Sequence, residues 1–322
     1  MPITSYLYDS TGTDRPVALS PELIAGLHDK QLLWVDITSV EGEETARLRE
    51  LLSLRRDSMR FLLTKGARPR LTDYGHYSQL NINAIEKVDG TIRLNEVDFI
   101  IRPNLIVTFH REPVSFLENF DDSRKSDTDL GTLDSESFLA GLLDWHITGY
   151  FRIVEELEKE IDKLDAKALM PYQRQDLLLD MSKLRQSVAF IRRSLTPHRE
   201  VYTGLLRREF QERKSAEDEM LFPILNERLE IAIDAVENAR ELLIGSFDMF
   251  TTRTTMKTNE VIKALTLFSF VWVPASVVVG ISTMLMKTPV SPVENVGFWA
   301  MMACIILIAV ATVVFARIRR WI

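Results

Sequence analysis

The sequence predicts an α+β cytoplasmic domain, a long helical stalk and two C-terminal transmembrane helices, and three observations carry that prediction. Ala264–Met286 and Asn295–Ala316 hold no charged side chain, and each run is about 22 residues, close to the ~20 that cross a ~30 Å hydrocarbon layer. Several short runs in the first third alternate apolar and polar residues, the period of a strand. Between these regions apolar residues recur every three or four positions, the period of a helix.

Taken in order, Gln31–Thr38, Tyr77–Ile85, Val97–Arg102 and Asn104–His110 read as strands, with a helix over Glu43–Thr64, so a mixed sheet with helices on it is expected. Asp121–Ser135 is rich in Asp, Ser and Thr and reads as a linker. Ser137–Lys167 and Tyr172–Leu195 form a helical hairpin joined across Met170 and Pro171. A further helix starts near Pro223, a residue suited to a first turn, and meets no strong breaker before Pro274. Run to Ile281, it is on the order of 90 Å long. No single-chain core covers such a rod, so other copies are expected around it. The resulting division is 1–130, an α/β domain; 131–222, a helical hairpin; 223–286, a stalk helix continuing into the first transmembrane helix; 287–294, an extracytoplasmic loop; and 295–322, the second transmembrane helix with a basic cytoplasmic tail.

No basic stretch followed by an apolar one lies near Met1, so no cleavable secretory signal is expected. Lys257 and Lys263 precede the first apolar run, and Arg317, Arg319 and Arg320 follow the second. That bias places both termini on the cytoplasmic side of the cell inner or plasma membrane. The single cysteine, Cys304, excludes an internal disulfide and a cysteine-rich metal site, and packs against neighbours or lipid. A net charge of −7 without Lys/Arg clusters interleaved with aromatics argues against a nucleic-acid partner. His28, His76, His110, His146 and His198 lack ligand spacing and read as structural or surface residues.

Polar and small residues in the first apolar run keep a register. Thr266, Ser269, Ser276, Gly280 and Thr283 follow one another at three- and four-residue steps or their sum, with Val273 between. The same alternation runs backwards through Ile262, Asn259, Thr255, Thr252 and Asp248 to Gly245. Polar groups in a membrane helix turn toward protein or a water-filled cavity. Small residues there also serve tight helix packing, but that does not require the polarity of Asn259, Thr255, Thr252 and Asp248. Cyclic symmetry would turn each seam residue into a ring of identical ligands, and hydroxyl, amide and carboxylate oxygens suit hard cations.

At these residues the chain resembles the CorA/ZntB superfamily of divalent-cation channels and transporters. Asn259–Thr266 resembles the segment entering the first membrane helix, and Val273-Pro274-Ala275-Ser276 followed by Gly280-Ile281 resembles its proline and glycine positions. The resemblance implies a homopentameric, funnel-shaped assembly in lipid, with Asp248 in an acidic ring, Asn259 in a polar ring at the inner mouth and Ser276 in a hydroxyl ring of the pore. It also implies transient metal contacts at Asp248, Asn259 and Thr283, transported cations such as Mg2+ or Zn2+, with Co2+ and Ni2+ as further candidates, and no other cofactor. Where the family has Gly-Met-Asn at the outer end of that helix, this chain has Thr283-Met284-Leu285, so specificity for Mg2+ does not transfer, and Thr283 becomes a substitute ligand. Lys287 and Glu294 belong to the same outer mouth, where copies of Lys287 would repel cations unless Glu294 offsets them.

No phosphate-cradling Gly-rich loop, Gly-x-Ser-x-Gly or His-Glu-x-x-His occurs, so an enzyme is not expected. The competing expectations are a proton-coupled zinc carrier and a non-conducting, membrane-anchored oligomeric scaffold.

Overall fold

The computed structural model describes residues 3–9, 14–38, 44–88, 90–124, 135–168, 174–207, 220–285 and 296–318. They divide into two compact units, Met1–Ser246 and Phe247–Ile322.

In the first unit the alternating segments become strands of one sheet: β1 (Ile3–Asp9), β2 (Arg15–Pro16), β3 (Gln31–Thr38), β4 (Arg70–Asp73), β5 (Ser78–Val88), β6 (Thr91–Arg102) and β7 (Leu105–His110). Their order is β2-β1-β3-β7-β6-β5-β4. β3 and β7 run parallel at the centre, Leu33 opposite Leu105 and Thr38 opposite His110. The flanking pairings are antiparallel.

Alternation sorts β3 between two cores. Leu33, Val35 and Ile37 point to one face, where α1 (Pro21–Ala25), α2 (Glu44–Leu51) and α3 (Arg56–Leu63) cover them with Leu23, Leu48, Met59 and Leu62. Trp34 points to the other, where α4 (Ser115–Arg124) and α5 (Ser135–Ala168) bring Phe120 and Phe138 to ring-centroid distances of 6.1 and 5.5 Å. The unit is completed by α6 (Arg174–Leu195), α7 (His198–Leu205) and the first part of α8 (Leu221–Leu285). The second unit holds the rest of α8 and α9 (Val296–Ile318).

The single helix expected over Glu43–Thr64 is two helices. α2 ends because Ser53 takes a left-handed φ of 49°. The Leu54 N–H then bonds the Arg49 carbonyl and the Ser53 N–H the Glu50 carbonyl, the double closure of a Schellman motif. Leu54 folds back into the core beside Leu48, the apolar contact that accompanies this cap. A left-handed residue with a Cβ is disfavoured by roughly 1–2 kcal/mol, partly offset by the entropy that glycine adds to the unfolded chain. Ser53→Gly is therefore expected to stabilise the domain by about 0.5–1 kcal/mol, read as a higher urea midpoint at unchanged m-value. A lower midpoint would refute it.

One further expectation changes. The linker proposed from Asp121 loses its first residues to α4, while 125–134 lie outside the described residues. The helix expected to run past Pro274 does so and reaches Leu285. Proline removes one backbone donor, a loss that membrane helices accommodate through neighbouring groups and local adjustment.

α5–α7 attach to the sheet through a buried polar cluster at Asn83 of β5. β4 pairs with β5 only as far as Asn81, leaving the next edge groups of β5 without a strand. The His198 Nε2 accepts the Asn83 N–H at 3.0 Å, and the Asn83 carbonyl accepts from the Tyr150 hydroxyl and His146 Nε2, both at 2.9 Å. Both imidazoles are therefore neutral with assigned tautomers, His198 protonated on Nδ1 toward the Leu195 carbonyl and His146 on Nε2. Burial pulls both pKa values down, His146 to about 4. Side chains thus close a sheet edge that would otherwise be open.

Candidate ion pathway

α8 is 65 residues long, about 98 Å at 1.5 Å per residue. In the first unit it buries Leu225, Leu229, Ala232, Val236, Ala239, Leu243 and Ser246, a seven-residue repeat of three- and four-residue steps. The opposite side of the helix is exposed, and the polar seam lies there. Asp248, Thr252, Thr255, Asn259, Ile262, Ser269, Val273, Ser276 and Gly280 are all exposed, and Thr266 is half-buried. Met284 is exposed, Thr283 and Leu285 form the end of α8 with side chains outside the description, and Lys287 and Glu294 lie outside the described residues. One chain therefore arrays the seam along a helix without gathering it into a site.

Four hydroxyls on this seam share a geometry, also seen off it at Thr258, that the sequence did not show. Thr255, Thr266, Ser269 and Ser276 each donate to the carbonyl four residues earlier, at 2.9, 2.7, 2.9 and 2.6 Å. With its hydrogen turned into the helix, each oxygen presents lone pairs outward, and so acts as an acceptor toward whatever occupies the seam. At these four positions an acceptor surface favours cations. Off the seam, Phe268 and Trp272 stack at 5.7 Å between centroids, and Leu265, Phe270, Val277 and Ile281 are exposed. That is an apolar surface suited to lipid or another helix.

The seam also extends further than Gly245, where the sequence reading stops. Counting back from Asp248 in sevens meets Glu241, Asp234 and Glu227, all exposed. The missed signal was the seven-residue interval itself. A repeat of 3.5 residues drifts ~20° per heptad on a straight helix, or about 100° from Asp248 to Thr283. The seam can face one axis throughout only if neighbouring helices coil left-handedly around one another.

Within the α+β domain, a small cavity is lined by Ile37, Met59, Leu62, Asp98, His110 and Arg111. Burial pushes the Asp98 pKa up to about 7, against a hydrogen bond from Asn81 Nδ2 at 3.1 Å that favours the carboxylate. His110 donates toward Asp36 Oδ2 at 3.1 Å, and although burial pulls its pKa down, this carboxylate and the Glu112 carbonyl leave it raised. Among the described residues, no three His, Cys, Asp or Glu side chains converge as a metal site. His146 and His198, far apart in sequence, come within 4.9 Å, but all four ring nitrogens are engaged in hydrogen bonds.

Among the described residues, α8 is the helix long and apolar enough to cross a membrane; the apolar run of α9, Trp299–Thr312, is shorter. An α+β domain carried on such a helix defines a membrane-associated protein. The profile of the CorA-like Mg2+ transporter protein family matches residues 29–320, and the chain belongs to this family, within the CorA/ZntB superfamily of divalent-cation transporters, not of catalysts. The cobalt/magnesium transport protein CorA of Methanocaldococcus jannaschii is 25% identical over 301 residues, 91% of this chain and 92% of that protein. The solved structure of the complete CorA magnesium transporter from the same organism superposes with a TM-score of 0.80 at 22% identity, covering 99% and 98% of the two chains. The ZntB cytoplasmic domain of Vibrio parahaemolyticus matches 80% of this chain and all of its own at a TM-score of 0.64 and 9% identity, a likeness of fold.

Proposed function

We propose that copies of this chain, five in number, form a pore through a cell inner or plasma membrane, with α8 lining it, α9 as a second crossing, and both termini cytoplasmic. In this reading 1–130 and 131–222 form the cytoplasmic domain, 223–286 the stalk and first crossing, 287–294 the outer loop, and 295–322 the second crossing and tail. The outward lone pairs of Thr255, Thr266, Ser269 and Ser276 are the observation that carries the proposal, because they make four levels of the seam rings of acceptors. Asp248 adds negative potential below the membrane and Asn259 a polar ring at its inner mouth.

The cargo is a divalent cation that keeps much of its water. From Asp248 to Gly280 the seam offers oxygen ligands and neither histidine nor cysteine, a donor set for Mg2+ rather than for Zn2+, which favours nitrogen and sulfur. Cobalt and magnesium in the name of the Methanocaldococcus relative point the same way. The divergent outer end, Thr283-Met284-Leu285 with Lys287 and Glu294 beyond it, sets the order among Mg2+, Co2+, Ni2+ and Zn2+. A divalent ion gains about 4.6 kcal/mol per 100 mV on moving inward, twice the single-charge value, so the membrane potential alone drives uptake.

Reconstitution in liposomes tests the proposal. Flux of Mg2+ that persists without a proton gradient is expected. Zn2+ flux only when a proton gradient is imposed would replace the pore with a coupled carrier, and assembled protein that moves none of the four ions would reduce it to a scaffold.

A further inference from the structure

Beneath α3 the sheet carries a carboxylate with no cationic partner. Asp98 of β6 is 5% exposed, and among the described residues its side chain receives one hydrogen bond, from the neutral Asn81 Nδ2 at 3.1 Å. Asn81 is itself buried and leaves its Oδ1 without a donor. The Asp98 carboxylate borders the cavity described above, about 40 Å3 in volume, together with Met59, Leu62 and Leu63 of α3. Space of this size holds a few water molecules or the tip of a turning side chain.

Arg111 lines the same cavity, but its guanidinium is committed elsewhere. Its Nη1 pairs with Glu96 Oε2 at 3.2 Å, and its Nη2 donates to the Leu62 carbonyl at 2.9 Å. Leu62 lies in the last turn of α3, where carbonyls have no partner within the helix. Glu96 accepts the Gly66 N–H through its other oxygen. One guanidinium and one carboxylate thus strap the exit of α3 to the sheet. Asp98 stands opposite Phe109 in the β6–β7 ladder, and Arg111 follows Phe109 by two residues, on the same face just past the end of β7. Diagonal neighbours of this kind are about 7–8 Å apart, within reach of a long side chain. Arg111 can therefore turn to Asp98 without any movement of the sheet.

We propose that Asp98 and Arg111 form a proton-operated strap: while Asp98 keeps its proton, Arg111 ties the exit of α3 to Glu96, and when the proton leaves to solvent, Arg111 turns across the cavity to the carboxylate and releases Leu62. The drive is the cost of a buried ionised carboxylate, which is tolerated when paired. Burial dominates the position of the exchange, against the Asn81 hydrogen bond. Glu96 on the same strand opposes ionisation, and Arg111 with Arg70 of β4 favours it, which together place the exchange at about pH 7. His110 of β7, also on the cavity wall, carries a raised pKa because Asp36 and the Glu112 carbonyl outweigh its burial. It discharges as pH rises and so makes ionisation of Asp98 harder. α3 and β3 present apolar side chains to the cavity, Met59, Leu62, Leu63 and Ile37. The strap lies wholly within the first unit, so it stands or falls independently of the pore.

Full-length protein in detergent tests this. In a Cys304→Ser background, Leu63→Cys puts a thiol at the half-exposed end of α3, beside the strap, for an environment-sensitive fluorophore. Its emission is expected to change with a midpoint at about pH 7, as the ionised fraction rises about tenfold between about pH 6 and about pH 8. Asp98→Asn is expected to keep the low-pH emission throughout, and Arg111→Gln the high-pH emission throughout. In unlabelled protein the infrared carbonyl band of a buried carboxylic acid should disappear with the same midpoint and be missing from Asp98→Asn. An emission change that persists in Asp98→Asn would assign the transition to another group, His110 first, and overturn the proposal. An Arg111→Gln variant that switches as its parent does would overturn it too, as would a parent whose emission and infrared band stay constant across the range.

Discussion

Asp98→Asn is expected to stabilise the α+β domain by about 4 kcal/mol at about pH 8 and to leave it nearly unchanged at about pH 3. The folded domain raises the Asp98 pKa from 3.8 to about 7, chiefly by burial. Below 3.8 the group is protonated in both states and contributes nothing. As pH rises toward 7 the unfolded chain loses the proton while the fold retains it, at 1.36 kcal/mol per pKa unit, so stability falls across that window. The substituted amide also has a waiting partner, because the Asn81 Oδ1 is buried without a donor. In wild type this loss opposes the histidines, which have the reverse sign. His146 and His198 are neutral in the fold and charge first in the unfolded chain, so their contribution is present above about 6.5 and disappears as pH falls, for His146 toward about 4. His110, whose pKa is raised, acts weakly in the same sense as Asp98. The background of Asp98→Asn should therefore expose an acid-side decline of up to about 2.7 kcal/mol per pH unit from two histidines, which His146→Gln should roughly halve. Urea unfolding of the two variants across about pH 4–8 reads these slopes directly. Equal stability of wild type and Asp98→Asn at about pH 8 would show that Asp98 is ionised in the fold at no cost.

These groups mark where reading the sequence stops. β3, β5, β6 and β7 were legible because one or both faces are buried and the residue pattern shows it. β1 puts a polar residue, Ser5, at a buried position, which blurs its alternation; β2 and β4, at two and four residues, are too short for a period to establish itself. The break at Ser53 was illegible because serine is an unusual left-handed cap and the apolar period runs unbroken from Leu48 through Leu52 to Met59. His146 and His198 lie 52 residues apart in sequence and meet only because α5 and α7 pack on one sheet edge. The seam was legible because a helix turns sequence spacing into a line. What spacing could not show is which way each hydroxyl hydrogen points, and that orientation decides whether the line repels or attracts a cation.

Replacing Ser276 or Gly280 with Leu is expected to reduce cation flux at least tenfold, about the effect of filling and drying a narrow constriction, while Val277→Leu should change it less than about twofold. Ser276 and Val277 are adjacent in sequence and both exposed in the single chain, but a helix separates them by about 100°. A leucine at 276 would appear once per copy at one level of the pore, replacing every acceptor of that ring with hydrocarbon; at 277 it would exchange one apolar side chain for another on a surface already apolar. Gly280→Leu tests the same axis one turn higher, and nothing among the described residues lies within 4 Å of the position its Cβ would take. Asp248→Asn should act differently, lowering flux a few-fold at low ionic strength and little at high, because a charge outside the membrane concentrates ions without contacting the permeating one. If leucine at 277 blocked flux as thoroughly as leucine at 276, the seam would not be the lining of the pore.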